Sequence, residues 1–244
     1  MCTVTYIPAG DKVFLTSNRD EKSGRLPASP PQPYDSFSGK IYYPKDSNAG
    51  GSWLAVHENG NVLVLLNGGF KFHESKPPYR KSRGLILLDL AEHDSPFDFF
   101  RSISLEDIEP FTLVIWQEQE LFECRWDGEK KYARQIDKTI PHIWSSVTLY
   151  GEEVTAKRKA WFDEWLQTKV QFSQKDILNF HRFTGDGDTH NDLTMNRDGK
   201  VFTVSITAVE ISHHEAQITY LDLPENKTYG CDVKFDKELA GDRV

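Results

Sequence analysis

Short stretches that alternate β-branched or aromatic residues with polar ones open the chain. Cys2 to Tyr6 follows this period-two pattern, and Lys12 to Ser17 repeats it after a Gly10-Asp11 turn, which predicts an N-terminal hairpin. A second hairpin is expected from Ser52 to His57 and Asn61 to Asn67, joined at Glu58-Asn59-Gly60, where Asn-Gly favours the positive φ angles of a tight turn. Val62 to Leu66 is apolar throughout and reads as a strand buried on both faces. Between the hairpins Pro27 to Pro33 reads as a stiff surface loop.

The period then changes. Leu85, Leu88 and Leu90 recur among polar positions in Ser82 to His93, and an acidic-started segment follows in Ser95 to Ile103, so two helices are predicted. Phe111 to Gln117 and Leu121 to Asp127 return to a hairpin. Glu152 to Gln167 is an amphipathic helix with Trp161, Trp165 and Leu166 on its apolar side, and Ser173 to Phe180 begins like a capped helix. The C-terminal part reads as strands at Leu193 to Asn196, Val201 to Ile211 and Gln217 to Leu223, separated by Arg197-Asp198-Gly199 and His213-His214. Strands, helices and strands again imply an α+β fold of two sheets with helices between or outside them, expected as one domain over residues 1–244.

Charge narrows the partners. With 29 Lys plus Arg against 37 Asp plus Glu, the net charge is −8 and no basic run occurs, so nucleic acid and anionic membrane surfaces are disfavoured. No apolar run approaches the roughly 20 residues that span a bilayer, and Met1 to Gly10 lacks the basic flank and long apolar segment of a signal peptide. A cytoplasmic protein is the expectation, with no oligomeric state assigned by the sequence. Three cysteines, Cys2, Cys124 and Cys231, without a CxxC pair, indicate neither a disulfide framework nor a structural zinc site.

Cys2 is the most informative of them. Loss of Met1 leaves a residue carrying both a thiol, with a reference pKa of about 8.5, and an α-amine at about 7.7–8.0, so nucleophile and base are matched near neutral pH. The alternative is a buried strand residue. Ser17-Asn18-Arg19-Asp20-Glu21 ends the second strand, and antiparallel pairing brings residues 17–20 near residue 2. Arg19 would then stabilise a thiolate or bind a substrate carboxylate, and Asp20 would hold the α-amine or fix Arg19. An exposed charged turn is the other reading of the same triplet.

Met1-Cys2-Thr3, Asn18-Arg19-Asp20-Glu21, Gly50-Gly51-Ser52-Trp53-Leu54 and Leu65-Leu66-Asn67, in this order and spacing, resemble the NRDE family, which includes the transport and Golgi organisation protein 2 group. That family is similar to N-terminal nucleophile hydrolases of the cholylglycine hydrolase and penicillin V acylase branch. The resemblance implies a four-layer αββα sandwich and hydrolysis of a linear, non-peptide amide through a Cys2 thioester. It matches Cys2 to the nucleophile, Asp20 to the acidic partner of the amine, and Asn67 to a residue whose backbone N–H helps form an oxyanion hole. Asn67 reads otherwise as a strand-ending Asn before Gly68-Gly69.

The acylase branch differs at three places. It carries an Arg where this chain has Ser17, so Arg19 is the NRDE family's own arginine; a later oxyanion-hole Asn falls near Ser145-Ser146, and a late Arg near Ser205-Ile206-Thr207. Asn18 and Ser146 are therefore candidate oxyanion or substrate contacts. A small amide or acyl substrate is the expected partner; the alternative is a protein that binds a hydrophobic, acyl or haem-like small molecule without cleaving it. No cofactor or metal is expected: Asp186-Gly187-Asp188-Thr189-His190 lacks the Gly and Glu of a calcium loop, His213-His214 lacks companion ligands, and the serine-hydrolase, P-loop and dinucleotide motifs are absent. Gly50-Gly51 reads as a close backbone approach, and Trp53 as core.

Overall fold

In chain order β1 (Thr3–Ala9) and β2 (Lys12–Lys22) form the expected hairpin, with Thr3 opposite Asn18 and Ala9 opposite Lys12. The computed structural model describes residues 3–236, so Cys2, the first residue of the strand expected at Cys2 to Tyr6, lies outside them. β2 continues past Ser17 to Lys22, which makes Asn18 to Glu21 part of a strand and removes the exposed-turn reading. Arg19 and Asp20 are each only 4% exposed.

Pro27 to Pro33 is a correction. β3 (Ser29–Ser36) takes up most of the expected loop and pairs with β4 (Gly39–Lys45). It lies at the edge of its sheet, where a proline's missing N–H costs no ladder bond. β5 (Leu54–His57) and β6 (Val62–Asn67) form the second expected hairpin. Ser82 caps α1 (Arg83–Ala91) by accepting the Leu85 N–H, and α2 (Pro96–Ser102) begins on a proline. The buried side of α1 carries Ile86, Leu87, Leu90 and Ala91 rather than Leu85 and Leu88.

β7 (Phe111–Gln117) and β8 (Glu120–Trp126) are joined through Glu118 and Gln119, both at positive φ, as a two-residue hairpin turn requires. β9 (Lys131–Ile136) and β10 (His142–Ser145) carry no clean alternation and were not expected. α3 (Glu152–Leu166) buries Arg158 and Phe162, one turn apart, leaving Trp161, Trp165 and Leu166 only half-buried. α4 (Gln174–Phe183) starts on a reciprocal Ser173–Asp176 capping box. The expected strand at Leu193 to Asn196 shrinks to β11 (Asn196–Arg197), followed by β12 (Val201–Ile211), β13 (Glu215–Asp222) and an unexpected β14 (Lys227–Lys234).

Among the described residues these strands make two antiparallel sheets. One runs β10-β1-β2-β12-β13-β14 with β11 beside β12, the other β3-β4-β5-β6-β7-β8-β9. Period-two alternation then fills three layers of core. Val4, Tyr6, Leu15 and Val209 of the first sheet meet Leu54, Val64, Leu66 and Val114 of the second. Leu63, Leu65, Leu113 and Ile115 face α1 and α2 on one outer side, and Ile7 and Phe14 face Phe162 of α3 and Ile177 and Phe180 of α4 on the other. The helices are outside the sheets, giving the expected αββα order. No helix of the described residues is long and apolar enough to cross a membrane.

Candidate active site

A cavity of about 880 Å³ opens where the end of β2, the loop from Asp46 to Trp53, the end of β6 and the segment 68–82 converge. That size suits a small organic molecule. Three sequence-predicted residues, Arg19, Asp20 and Asn67, border it, whereas Asn18 and Ser146 do not.

Alternation along β2 separates the two charges. Arg19 faces the second sheet, where its guanidinium lies 4.4 Å from the centre of the Trp53 ring. Its Nη2 donates to Asp46 at 2.7 Å and stands 3.3 Å from Glu21. Asp46 is thus the close carboxylate partner of Arg19, and it also pairs with Arg25 at 3.0 Å and accepts the Asn48 and Ala49 N–H groups. Burial alone would raise the Asp46 pKa, but the Ala49 N–H, Arg25 and Arg19 outweigh it and hold the carboxyl below its ordinary value. Trp53 therefore serves both as core and as the wall on which Arg19 rests.

Asp20 points the other way, toward α3. Each of its oxygens takes a hydroxyl: Tyr150 donates to Oδ2 and Thr203 to Oδ1, both at 2.5 Å. A bulge in β12 makes this possible, because Thr203 pairs with Asp20 and Ser205 with Arg19, leaving Val204 as the extra residue. Among the described residues no cation lies within ion-pair distance of this buried carboxylate.

The same outer face holds a second polar group behind β1. Arg158 is fully buried and donates to Thr3 Oγ1 at 2.5 Å and to the Asp192 carbonyl at 2.6 Å, while its guanidinium lies 3.6 Å from the Tyr150 ring centre. His181 joins Thr5 Oγ1 at 2.7 Å and Asn18 Oδ1, and Asn18 Nδ2 donates to the His181 and Leu193 carbonyls. Burial, helped by Arg158, pushes the His181 pKa down to about 3. Asn18 is thus engaged in tying β2 to α4, away from the cavity.

Asn67 ends β6 opposite Phe111, and its carbonyl accepts the Ser146 hydroxyl at 2.9 Å. The Ser146 hydroxyl thus bonds to that carbonyl, and a second contact at 3.0 Å joins it to the Thr148 hydroxyl. Behind them Gly51 and Gly84 touch backbone to backbone: a Cβ on Gly51 would come within 2.4 Å of the Gly84 carbonyl carbon, so of the pair Gly50-Gly51 it is Gly51 that makes the expected close approach, while Gly50 stands in open space at positive φ. On the far wall Arg83 pairs with Glu109 at 3.0 Å, and His73 stands 3.4 Å from the same carboxylate. The described residues contain no group of side chains arranged to hold a metal ion.

A profile of the Transport and Golgi organisation 2 family matches residues 1–233. The chain belongs to this family. Among curated proteins none matches it in sequence. This Transport and Golgi organisation 2 family member is similar in fold to the Caenorhabditis elegans ortholog of N-acylethanolamine-hydrolyzing acid amidase, with a TM-score of 0.59 and 8% identity over 85% of this chain and 92% of that one. Two variants of the conjugated bile acid hydrolase from Clostridium perfringens superpose with TM-scores of 0.54 and 0.53 at 12% and 11% identity, over 100% of both chains. The likeness establishes the N-terminal nucleophile hydrolase fold for the family member.

Sequence reasoning missed Asp46, Tyr150, Thr203, Arg158 and His181. Arg158 had a signal, since a basic residue four before Phe162 falls on the apolar stripe of α3. Tyr150 and Thr203 had none, because a loop and a bulge bring them to Asp20.

Proposed function

We propose that the protein is an N-terminal cysteine hydrolase that cleaves the linear amide bond of a small N-acyl substrate. The observation that carries this is Asp20: a buried carboxylate fixed by two hydroxyls, with no cation from the described residues, beside the start of β1. Burying an unpaired carboxylate is costly, and each oxygen retains an acceptor site. The α-ammonium of Cys2, released by loss of Met1, is the charge that would answer it. Thr3, the residue that follows Cys2 in the chain, pairs with Asn18, two residues before Asp20 on β2, which supports this reading. A further support is that one of the bile acid hydrolase structures carries a cysteine-to-alanine change at its own second residue.

In this reading the α-amine takes the thiol proton, the thiolate attacks the amide carbonyl carbon, and a C–S bond forms as the C–N bond breaks. The departing amine takes the proton back from the α-ammonium. Water then attacks the thioester, with the α-amine accepting its proton and the thiol leaving restored. Arg19, already tied to Asp46 and Glu21, acts on the cleft wall as a fixed positive charge.

Ser146 supports a second reading. Its proton goes to the Asn67 carbonyl, so a donor of the acylase type is not supplied from that position, and one lost oxyanion donor costs about 10²–10³ in turnover. A protein that binds an acyl-bearing small molecule without cleaving it is compatible with this. The deciding experiment exposes protein freed of Met1 to a mixture of N-acyl amides and maps mass increments by peptide. Hydrolysis requires an acyl increment on Cys2 that vanishes in Cys2→Ala while ligand retention persists. Tight retention of an uncleaved ligand with no increment selects the binding reading.

A further inference from the structure

Tyr150 has no counterpart among the residues singled out from the sequence, yet it is built into the structure as tightly as any of them. Its hydroxyl donates to Asp20 Oδ2 at 2.5 Å, its ring lies under Arg158 at 3.6 Å, and the Arg197 guanidinium is 5.4 Å from the same ring. Arg158 in turn donates to Thr3 Oγ1 at 2.5 Å, at the start of β1. One continuous path thus joins the Asp20 carboxylate, the phenol, a buried guanidinium and the residue next to Cys2.

The charges in this arrangement are complementary. Among the described residues Asp20 is an anion without a cation, and Arg158 is a fully buried cation whose hydrogen bonds go to Thr3 and to the Asn191 and Asp192 carbonyls rather than to a carboxylate. Tyr150 links the two, presenting its donor to the anion and its electron-rich face to the cation. A guanidinium on the ring face strengthens the phenol as a donor. The ring is also held: its backbone N–H closes on the Ser146 carbonyl, and a guanidinium on the ring restrains its two side-chain torsions.

We propose that Tyr150 is a positioning residue that acts through Asp20, fixing the plane of the carboxylate so that it meets the α-ammonium of an N-terminal Cys2. Thr203 fixes the other oxygen. This rests on the hydrolase reading above. The charged groups near the pair are Arg158 of α3, Arg197 of β11, Arg19, Glu21 and Lys22 on β2, and, across the cavity that Asp20 borders, Arg25, Asp46, His73, Glu74, Lys81, Arg83 and Glu109; none of these is altered in the test.

The test uses an aryl nitrile to which the thiolate of an N-terminal cysteine adds and on which the amine then closes, releasing ammonia, so the pH midpoint of its rate reports the coupled thiol–amine pair without a known substrate. The full chain, freed of Met1, is followed by intact mass across pH. Loss of the Asp20 contact returns the amine toward its ordinary pKa of about 7.7–8.0, so Tyr150→Phe, which keeps the ring, should move the midpoint down by about half a unit, a threefold change in the amine-to-ammonium ratio. Asp20→Asn should shift it at least as far, and the double variant no further than Asp20→Asn alone. Thr203→Val should move it in the same direction and Thr203→Ser should restore it, an arm that stands if Tyr150→Phe folds poorly. An unmoved midpoint in Tyr150→Phe, or additive shifts in the double variant, overturns the positioning role while leaving the hydrolase reading intact. Failure of the processed wild type to condense at any pH overturns that reading, and the positioning role with it.

Discussion

Replacing Asp46 by Asn tests whether the cleft charge is held in place by its partner. The change keeps the size of the side chain and an oxygen for the Asn48 and Ala49 N–H groups, and it removes only the negative charge facing Arg19 and Arg25. Arg19 is almost fully buried, and stranding one member of a buried pair costs about 3–5 kcal/mol. Glu21 at 3.3 Å and the Trp53 ring remain to it, which places the loss near the lower end, at about 3 kcal/mol. Arg25, with 36% of its side chain exposed, adds only about 0–1 kcal/mol because water screens it. At about 2–4 °C per kcal/mol for a chain of this size, thermal unfolding should fall by roughly 6–12 °C. Circular dichroism melts of wild type, Asp46→Asn, Arg19→Met and the double variant provide the measurement. The double variant should recover part of the loss, since it no longer buries an unpaired cation. A drop under about 2 °C in Asp46→Asn, or a double variant as unstable as the sum of the singles, would refute the argument.

With limiting alkylating reagent Cys2 should label first, because Cys124 is fully buried and burial raises its thiol pKa, and burial also raises that of half-buried Cys231; earlier labelling of either on peptide mapping contradicts this. Ser146→Ala removes one hydrogen bond to the Asn67 carbonyl and should cost about 1 kcal/mol in urea titrations, with no effect expected only if water replaces the hydroxyl. Gly51→Ala should destabilise by about 1–3 kcal/mol or more through collision with Gly84, while Gly230→Ala, with no atom within 4 Å of the added carbon, should be silent; equal effects would remove the packing argument. His181 binds its proton at about 6.5 in the unfolded chain and only near 3 when folded, so its contribution is complete above pH 6.5 and is lost as pH falls below it. One proton over 1.5 pH units corresponds to about 2 kcal/mol less stability at pH 5 than at neutral pH, a component that should vanish in His181→Gln when urea midpoints are compared.

The layers were legible where the chain alternates cleanly. Val4, Tyr6, Leu15, Val64 and Leu66 announced the facing sheets, and the Asn59-Gly60 and Gly10-Asp11 turns fixed their hairpins. β3 was hidden by its prolines, since an edge position cannot be seen before the sheet order is known. β9 and β14 expose much of both faces and the short β10 is half-buried at all four positions, so none of them carries a clear periodicity. In the site, Arg19, Asp20 and Asn67 were visible as a motif, but that Arg19 and Asp20 serve opposite faces of one strand depended on β2 continuing past Ser17. That Asn18 and Ser146 stand off the cavity lining was not legible for a related reason: they bond to His181, Leu193 and Asn67, partners distant in sequence.

Segment 68–82, which supplies Phe72, His73, Glu74, Ser75 and Tyr79 to the cavity, divides the chain between β6 and β7. Every seam around the earlier part is closed by the later one: β10 on β1, β12 on β2, and β7 on β6. A single cut within the segment would therefore leave two fragments locked together along three ladders, in both sheets at once. Neither piece holds a whole sheet, so each is a template for the other, and the cut ends emerge beside the cavity. Two chains cut there and co-expressed should therefore associate without the covalent link.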